Sequence, residues 1–263
     1  MGKTAIVTGG TSGIGLETAK ALAAKHGYTV YVFSRHAFSY PDLRHISCDV
    51  ADEKAVTDAV KEVVSREGRL DLVVNCAGMG ISGALEFTSL SDAKHLFDVN
   101  FFGTVNVNRA SIEHLRKTHG KIINISSVAG VVPIPFQSFY SASKAAINSY
   151  SLALANELKP FGVSVCAVMP GDTATGFTAA RKKSAEGDNL YEGRITRSVS
   201  KMEKDELGGT DSAITGNTIA SLAVRKKLPA LYTVGFSYKL VNVLMKILPV
   251  RLSQRLIYGL YAK

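Results

Sequence analysis

The segment "FYSASKAA", Phe139 to Ala146, sets a phenol and an ammonium four residues apart among small residues and good helix formers. Four-residue spacing makes neighbours on an α-helix, so Tyr140 and Lys144 project from one helix face. Tyr140 is the only one of the ten tyrosines with a lysine at that distance. A phenol in such a pair is a candidate proton donor. Its ordinary pKa of about 10 is too high for easy cycling near neutrality, and a neighbouring positive charge favours the phenolate and lowers it. On a solvated helix face the same pair would do nothing, so the surrounding motifs decide.

A second group of residues offers anion chemistry. The first β-branched run ends in "TGGTSGIG", Thr8 to Gly15, which opens the first helical segment. Glycine permits a tight turn and close backbone approach, and a helix N-terminus presents unpaired N–H groups with partial positive charge. Strand, glycine turn and helix in that order form the context of a dinucleotide pyrophosphate site. The spacing here is Gly9, Gly13, Gly15, a Gly-x-x-x-Gly-x-Gly turn that also contains Thr11, Ser12 and Ile14. The second strand ends in "VFSR". Ser34 and Arg35 stand where an acidic residue would bind the ribose 2′-hydroxyl of NAD, and a nearby Arg accommodates a 2′-phosphate. NADP(H) is therefore expected over NAD(H).

Positioning these groups requires a doubly wound sheet. Short β-branched runs, "TAIVT", "TVYVFS", "HISC", "LDLVVN", "KIINIS" and "VSVCAVM", alternate with helix-period segments over Gly13 to His26, Asp52 to Arg66, Ser91 to Thr118 and Ser138 to Leu158. That alternation predicts a Rossmann-type parallel sheet with helices on both faces, one domain over residues 1–263. After Met169 the pattern fails. Residues 171–209 are polar, charged and glycine-punctuated, and are expected to form a long loop that serves as a lid or is partly disordered. A helix over Asp211 to Lys226, a last strand in "ALYTV", and a helical tail over 236–263 broken by Pro249 complete the reading.

Composition narrows the function classes. The chain has 263 residues and a formal charge of +9, with 46% hydrophobic and 20% charged residues, values of a folded globular domain. Its basic residues are scattered and lack aromatic interleaving, which argues against nucleic acid. The most apolar stretch, in the tail, is broken by Lys239 and Lys246, which argues against a spanning helix. The tail's apolar faces and basic residues could lie on anionic lipid, with core packing or subunit contact the favoured reading. Cys48, Cys76 and Cys166 fit free thiols in a reducing compartment, and no charged n-region precedes a long apolar segment at the start, so the cytoplasm is expected. The six histidines show no metal-ligand spacing with the cysteines, so no metal is expected.

Taken together, "TGGTSGIG", "CDV" (Cys48 to Val50), "NCAG" (Asn75 to Gly78), "DVN" (Asp98 to Asn100), "NISS" (Asn124 to Ser127), "YSASK" and "PGDTAT" (Pro170 to Thr175) resemble the short-chain dehydrogenase/reductase family over about residues 3 to 235. The resemblance implies NADP-dependent interconversion of a secondary alcohol and a ketone. It implies a catalytic set of Asn100, Ser127, Tyr140 and Lys144, with Ser127 on the substrate oxygen and Asn100 holding a water that links Lys144 to solvent. It implies cofactor contacts from Gly9 through Gly15, from Asp49 and Val50 at the adenine, and from Asn75, Ala77 and Gly78 at the ribose. Tyr140 and Lys144 would also touch the cofactor, and Pro170, Gly171, Thr173 and Thr175 would hold the carboxamide and phosphates. Cys76 and Thr173 depart from the family's commoner residues.

Phe136, "VVPIP", Met79 and Phe177 would give an apolar pocket suited to a lipophilic ketone. The segment "SSVAGVVPIPFQSFYSASK", the long lid and the helical tail look similar to the hydroxysteroid dehydrogenase branch, making a hydroxysteroid or bile acid the leading substrate expectation. Reduction of another apolar ketone (a retinoid, sphinganine precursor or xenobiotic) is the alternative, and a non-catalytic cofactor-binding regulator is the third reading. Arg181, Lys182 and Lys183 could steer an anionic bile acid, although a solvated charge run is the favoured reading. Ser141, Ala142 and Ser143 would let their helix lie close to the cofactor or to a partner in a homodimer or homotetramer.

Overall fold

Alternation along the first strand sets the architecture. In β1 (Lys3–Thr8), Ala5 and Val7 face one side and Ile6 the other, and all three are fully buried, so the sheet is covered on both faces. The computed structural model describes residues 2–263. After β1 come α1 (Gly13–His26), β2 (Tyr28–Ser34), β3 (Leu43–Ser47), α2 (Glu53–Glu67) and β4 (Leu72–Asn75). The middle of the chain supplies α3 (Leu90–Phe97), α4 (Gly103–Thr118), β5 (Lys121–Ile125), α5 (Ser138–Leu158) and β6 (Ser164–Met169). It closes with α6 (Phe177–Ala180), α7 (Arg194–Leu207), α8 (Ser212–Ala223), β7 (Leu231–Thr233), α9 (Phe236–Ile247) and α10 (Val250–Tyr261).

Seven strands form one parallel sheet in the order β7-β6-β5-β4-β1-β2-β3. The order reverses between β1 and β4, where Thr8 pairs with Asn75, and Asn75 in turn with Asn124. A crevice opens at such a point, beyond the carboxyl ends of the strands. One face of the sheet packs on α1 and α8 through Ala19, Leu22 and Ile219. The other packs on α2, α4 and α5 through Val60, Val107 and Leu154. A separate cluster of Ala84, Ile195, Val199 and Met202, joined by Phe136 and Tyr191, lies outside the sheet.

Two segments differ from the sequence expectation. The helix expected from Ser91 to Thr118 is interrupted by a π turn at Asp98–Phe102, and Asn100 sits on that turn. A π turn inside a helix re-aims one side chain, and such turns concentrate at functional sites. Residues 171–209, expected as a long loop, contain α6, α7 and two short parallel strand pairings, Thr173–Ala174 with Thr210–Asp211 and Ile81–Ser82 with Lys182–Lys183. Residues 171–209 are thus a folded segment, anchored by Ile195, Val199 and Met202 in an apolar cluster shared with Ala84.

Candidate active site

The glycine turn is held against the next strand end. Thr8 Oγ1 accepts the N–H groups of both Cys76 and Ala77 at 3.0 Å, which draws the loop after β4 onto the turn after β1. A Cβ at Gly9 would stand 2.8 Å from the Ala77 Cα, and one at Gly15 would stand 2.3 Å from the Gly9 carbonyl oxygen. Gly9 and Gly13 also hold positive φ, at 61° and 50°. Only glycine fits these places. The turn delivers the N-terminus of α1, whose first turn carries no acidic residue and whose N-cap Ser12 makes no side-chain cap. A backbone cradle with free N–H groups fits a pyrophosphate.

The cradle opens into a cleft of about 550 Å³ along the strand ends. Gly9, Thr11, Ser12, Gly13, Ile14 and Gly15 line one end, joined by Ser34, Arg35, Asp49 and Val50. Ala77, Gly78, Ser127, Tyr140, Lys144, Pro170, Gly171, Thr173 and Thr175 line it too. Asn75 and Asn100 do not face the cleft. The Asn75 amide donates to Asn108 Oδ1 at 2.7 Å and Asn124 Oδ1 at 2.9 Å, in a buried asparagine cluster that ties β4 to α4 and β5. The Asn75 side chain is therefore held within the fold, tying strand to helix.

Ser34 is occupied as well: its hydroxyl donates to the His36 carbonyl at 3.0 Å and shares a 2.8 Å hydrogen bond with His45. Arg35 is exposed and forms no ion pair among the described residues, and no carboxylate follows it at the β2 end. His36, which no sequence motif marks, lines the cleft beside Arg35.

Tyr140 and Lys144 share the cleft-facing side of α5. The Lys144 Nζ lies 5.7 Å from the Tyr140 ring centre and donates to the Ile125 carbonyl at 2.9 Å. Ser126 Oγ donates to the Lys144 carbonyl at 2.8 Å, and a Cβ at Gly130 would strike the same carbonyl oxygen at 2.8 Å, so the helix is seated tightly on the end of β5. Asn100 is 1% exposed. Its Oδ1 accepts the Met79 N–H at 2.8 Å, and its amide donates to the Met79 carbonyl at 3.0 Å and Ser143 Oγ at 3.2 Å. The side chain expected to hold a water thus clamps the Gly78–Met79 segment against α5, and Ser143 serves as the far end of that clamp.

Electrostatics departs from the simplest expectation. Burial pushes the Tyr140 phenol up to about 12; the Ser127 hydroxyl pulls it down, Glu206 raises it, and Arg181 opposes Glu206. Burial lowers Lys144 to about 8. Arg181 is a second cation whose charge bears on the phenol, 25 residues from its partner Glu206 and invisible as such in the sequence. Its side chain is 0% exposed, is paired with Glu206, and lies over the Phe177 ring. Lys182 pairs with Asp92 and Lys183 with Glu203, so none of the three basic lid residues is a free anion-steering charge.

The rest of the cleft is a wall the sequence only partly indicated. Met79, Val132, Ile134 and Phe177 line it, whereas Phe136 packs on Tyr191 beneath the lid. Val241, Met245, Ile257 and Leu260 from α9 and α10 add apolar lining, and the Tyr238 ring sits so close that a Cβ at Gly171 would be 2.2 Å from it. Two carboxylates, Asp172 and Glu206, interrupt this lining. Asp172 accepts the Tyr238 hydroxyl at 2.7 Å, and its carboxyl is raised by burial, with Glu206 and Asp205 adding repulsion. Burial pushes all three free thiols up, Cys48 to about 11 and Cys76 and Cys166 to about 12, so none is an activated nucleophile.

A seven-stranded parallel sheet in this order, with a glycine cradle at the strand reversal, is the Rossmann-type arrangement that binds dinucleotides. Residues 3–186 match the family described as short chain dehydrogenase, and the chain belongs to that family, whose members act on alcohol and keto groups. It is 42% identical to the 3-ketodihydrosphingosine reductase of Bacteroides thetaiotaomicron, over 88% of this chain and 87% of that protein. It is 38% identical to the NADPH-dependent 1-acyldihydroxyacetone phosphate reductase of Saccharomyces cerevisiae, over 77% and 72%. The crystal structure of a short-chain dehydrogenase from Streptomyces avermitilis superimposes with a TM-score of 0.80 at 29% identity, covering 98% of both chains.

Proposed function

We propose that this chain reduces the ketone of a long-chain lipid that carries a cationic amino group beside the carbonyl, a 3-ketodihydrosphingosine-type substrate, with NADPH as its preferred cofactor. The observation that carries this reading is the pairing of an apolar wall from α9 and α10 with a carboxylate, Asp172, that no cation among the described residues meets; Glu206 beside it is already paired with Arg181. An alkyl chain suits the wall, and an ammonium suits a half-buried carboxylate whose side-chain partner is a hydroxyl rather than a cation. The name of the 42% identical relative supports the same chemistry. The hydroxysteroid expected first from the sequence gains nothing from this carboxylate. A bile acid, or the phosphate of an acyl-dihydroxyacetone phosphate, would be repelled by it.

In this reading Tyr140 gives its proton to the carbonyl oxygen, and Ser127 donates a hydrogen bond to that oxygen as charge builds on it. Lys144 keeps the phenol's surroundings positive, and Asn100 positions the loop beneath. The cradle from Gly9 to Gly15 holds the pyrophosphate, Asp49 and Val50 the adenine, and Ala77 and Gly78 the ribose side. Pro170, Gly171, Thr173 and Thr175 hold the carboxamide end. When bound, the reduced nicotinamide supplies the hydride for the carbonyl carbon.

The test is NADPH oxidation with 3-ketodihydrosphingosine, its N-acetyl form, a ketosteroid and 1-acyldihydroxyacetone phosphate. The free amine is expected to exceed the N-acetyl form in kcat/KM by about tenfold or more, the value of one charged hydrogen bond. A ketosteroid turned over faster than the amine would overturn the substrate assignment. For the cofactor, Arg35→Ala is expected to raise the KM for NADPH about tenfold or more and to leave that for NADH within about twofold, since the lost contact is to the 2′-phosphate. Equal effects on both would place the phosphate elsewhere.

A further inference from the structure

We propose that the outer face of α9 and α10 docks on an anionic phospholipid bilayer. No helix among the described residues is long and apolar enough to cross a membrane, so this contact is one of lying on the surface. The two helices have two faces. On α9, Tyr238, Asn242 and Met245 turn inward, while Phe236, Leu240, Val243, Leu244 and Ile247 recur at the helical period on the opposite side, all exposed. Phe236 is 84% exposed and Ile247 74%. On α10, Ser253 and Ile257 turn inward and Leu252 and Leu256 outward. A water-soluble surface rarely carries so much contiguous apolar side chain without a partner.

Charge selects the partner. Residues 236–263 contain Lys239, Lys246, Arg251, Arg255 and Lys263 and no acidic residue. The cations flank the apolar stripes, the arrangement of an amphipathic helix that rests in the headgroup region of anionic lipid. A second copy of the chain fits this face poorly. A two-fold contact would set the cations of one copy against the same cations of the other. The helices also continue into the cleft. Val241, Met245 and Ile257 form its wall from within, and Leu260, 57% exposed, stands at its rim and belongs to both surfaces. Docking would therefore place the cleft mouth at the lipid surface.

Vesicle co-sedimentation of the full chain tests this without a substrate, so a failure leaves the proposed reaction untouched. The protein is expected to pellet with vesicles containing about a third phosphatidylglycerol and not with phosphatidylcholine alone, and to be released when NaCl rises from about 0.1 M to about 0.5 M. Combining Leu240→Glu, Ile247→Glu and Leu256→Glu is expected to reduce the pelleted fraction about tenfold or more, with turnover of a short water-soluble ketone unchanged. The milder pair Lys246→Gln and Arg251→Gln is expected to weaken binding to anionic vesicles alone, and stands in if the first variant does not fold. Failure of the protein to pellet, equal pelleting with both lipids, or variants that pellet like the parent would each overturn the proposal. So would a smaller assembly in light scattering of the triple variant without vesicle binding by the parent, which would place a second copy on this face.

Discussion

Tyr140→Phe is expected to lower kcat by about 10²- to 10⁴-fold, the usual contribution of a positioned general acid, with NADPH affinity unchanged. The ring itself is kept: it packs beside Phe177 at 5.7 Å between centres and beneath the Lys144 ammonium, so the variant should fold and bind cofactor as the parent does. Only the phenol is lost, and with it the proton that meets the carbonyl oxygen opposite Ser127. The pH dependence follows from the direction of the shift. Burial holds the phenol up to about 12, so Tyr140 is protonated throughout the neutral range and reduction has its donor in hand. Alcohol oxidation needs the phenolate, and its rate is expected to rise with pH from neutrality, by up to about tenfold per unit while the phenol stays mostly protonated. Initial rates in both directions, with fluorescence titration of NADPH, check this. A Phe variant with more than about a tenth of parent turnover, or an oxidation rate flat with pH, would remove Tyr140 from the proton transfer.

Much of this site could be read from the chain because its parts are local. The β-branched runs of the sheet keep their alternation, and α1 and α5 span the residues their patterns predicted, with Gly27 at positive φ closing the first. The turn from Thr8 to Gly15 and the pair Tyr140 and Lys144 each lie within a few residues, where spacing alone dictates geometry. What escaped was non-local. In α7 the apolar Ile195, Val199 and Met202 do recur at helical spacing, but the surrounding charge masks them. Its start is signalled by Asp188, which accepts the N–H groups of Ile195 and Thr196 from well upstream, and the cap position is Gly193. The Arg181–Glu206 pair and the Asn75 cluster likewise join distant stretches, so a residue's type could be seen but not its partner. For Asn75 the partners show what its side chain does, which is to tie strand to helix.

Lys144→Met should move activity and stability in opposite directions. Lys144 is 6% exposed, and burial depresses its pKa from 10.5 to about 8, a difference equivalent to about 3 kcal/mol. Below pH 8 the lysine is charged in both folded and unfolded chains, and the folded chain bears that whole cost. Between pH 8 and 10.5 the folded chain releases the proton while the unfolded chain keeps it, so stability rises with pH, and above 10.5 the cost is gone. Methionine removes the charge at every pH but leaves the Ile125 carbonyl without the lysine's hydrogen bond, a loss of about 1–3 kcal/mol. The net gain at pH 7 is therefore expected to be about 1 kcal/mol, a rise in Tm of about 2–4 °C, alongside a loss of turnover of about 100-fold or more. The gap between variant and parent should shrink, and then reverse, as pH climbs from 8 to 10.5. Thermal melts at pH 7, 8.5 and 10 read the sign directly. A structural lysine would lose stability and activity together at all three, and that outcome would mean that Lys144 holds the fold rather than burdening it for the sake of the phenol beside it.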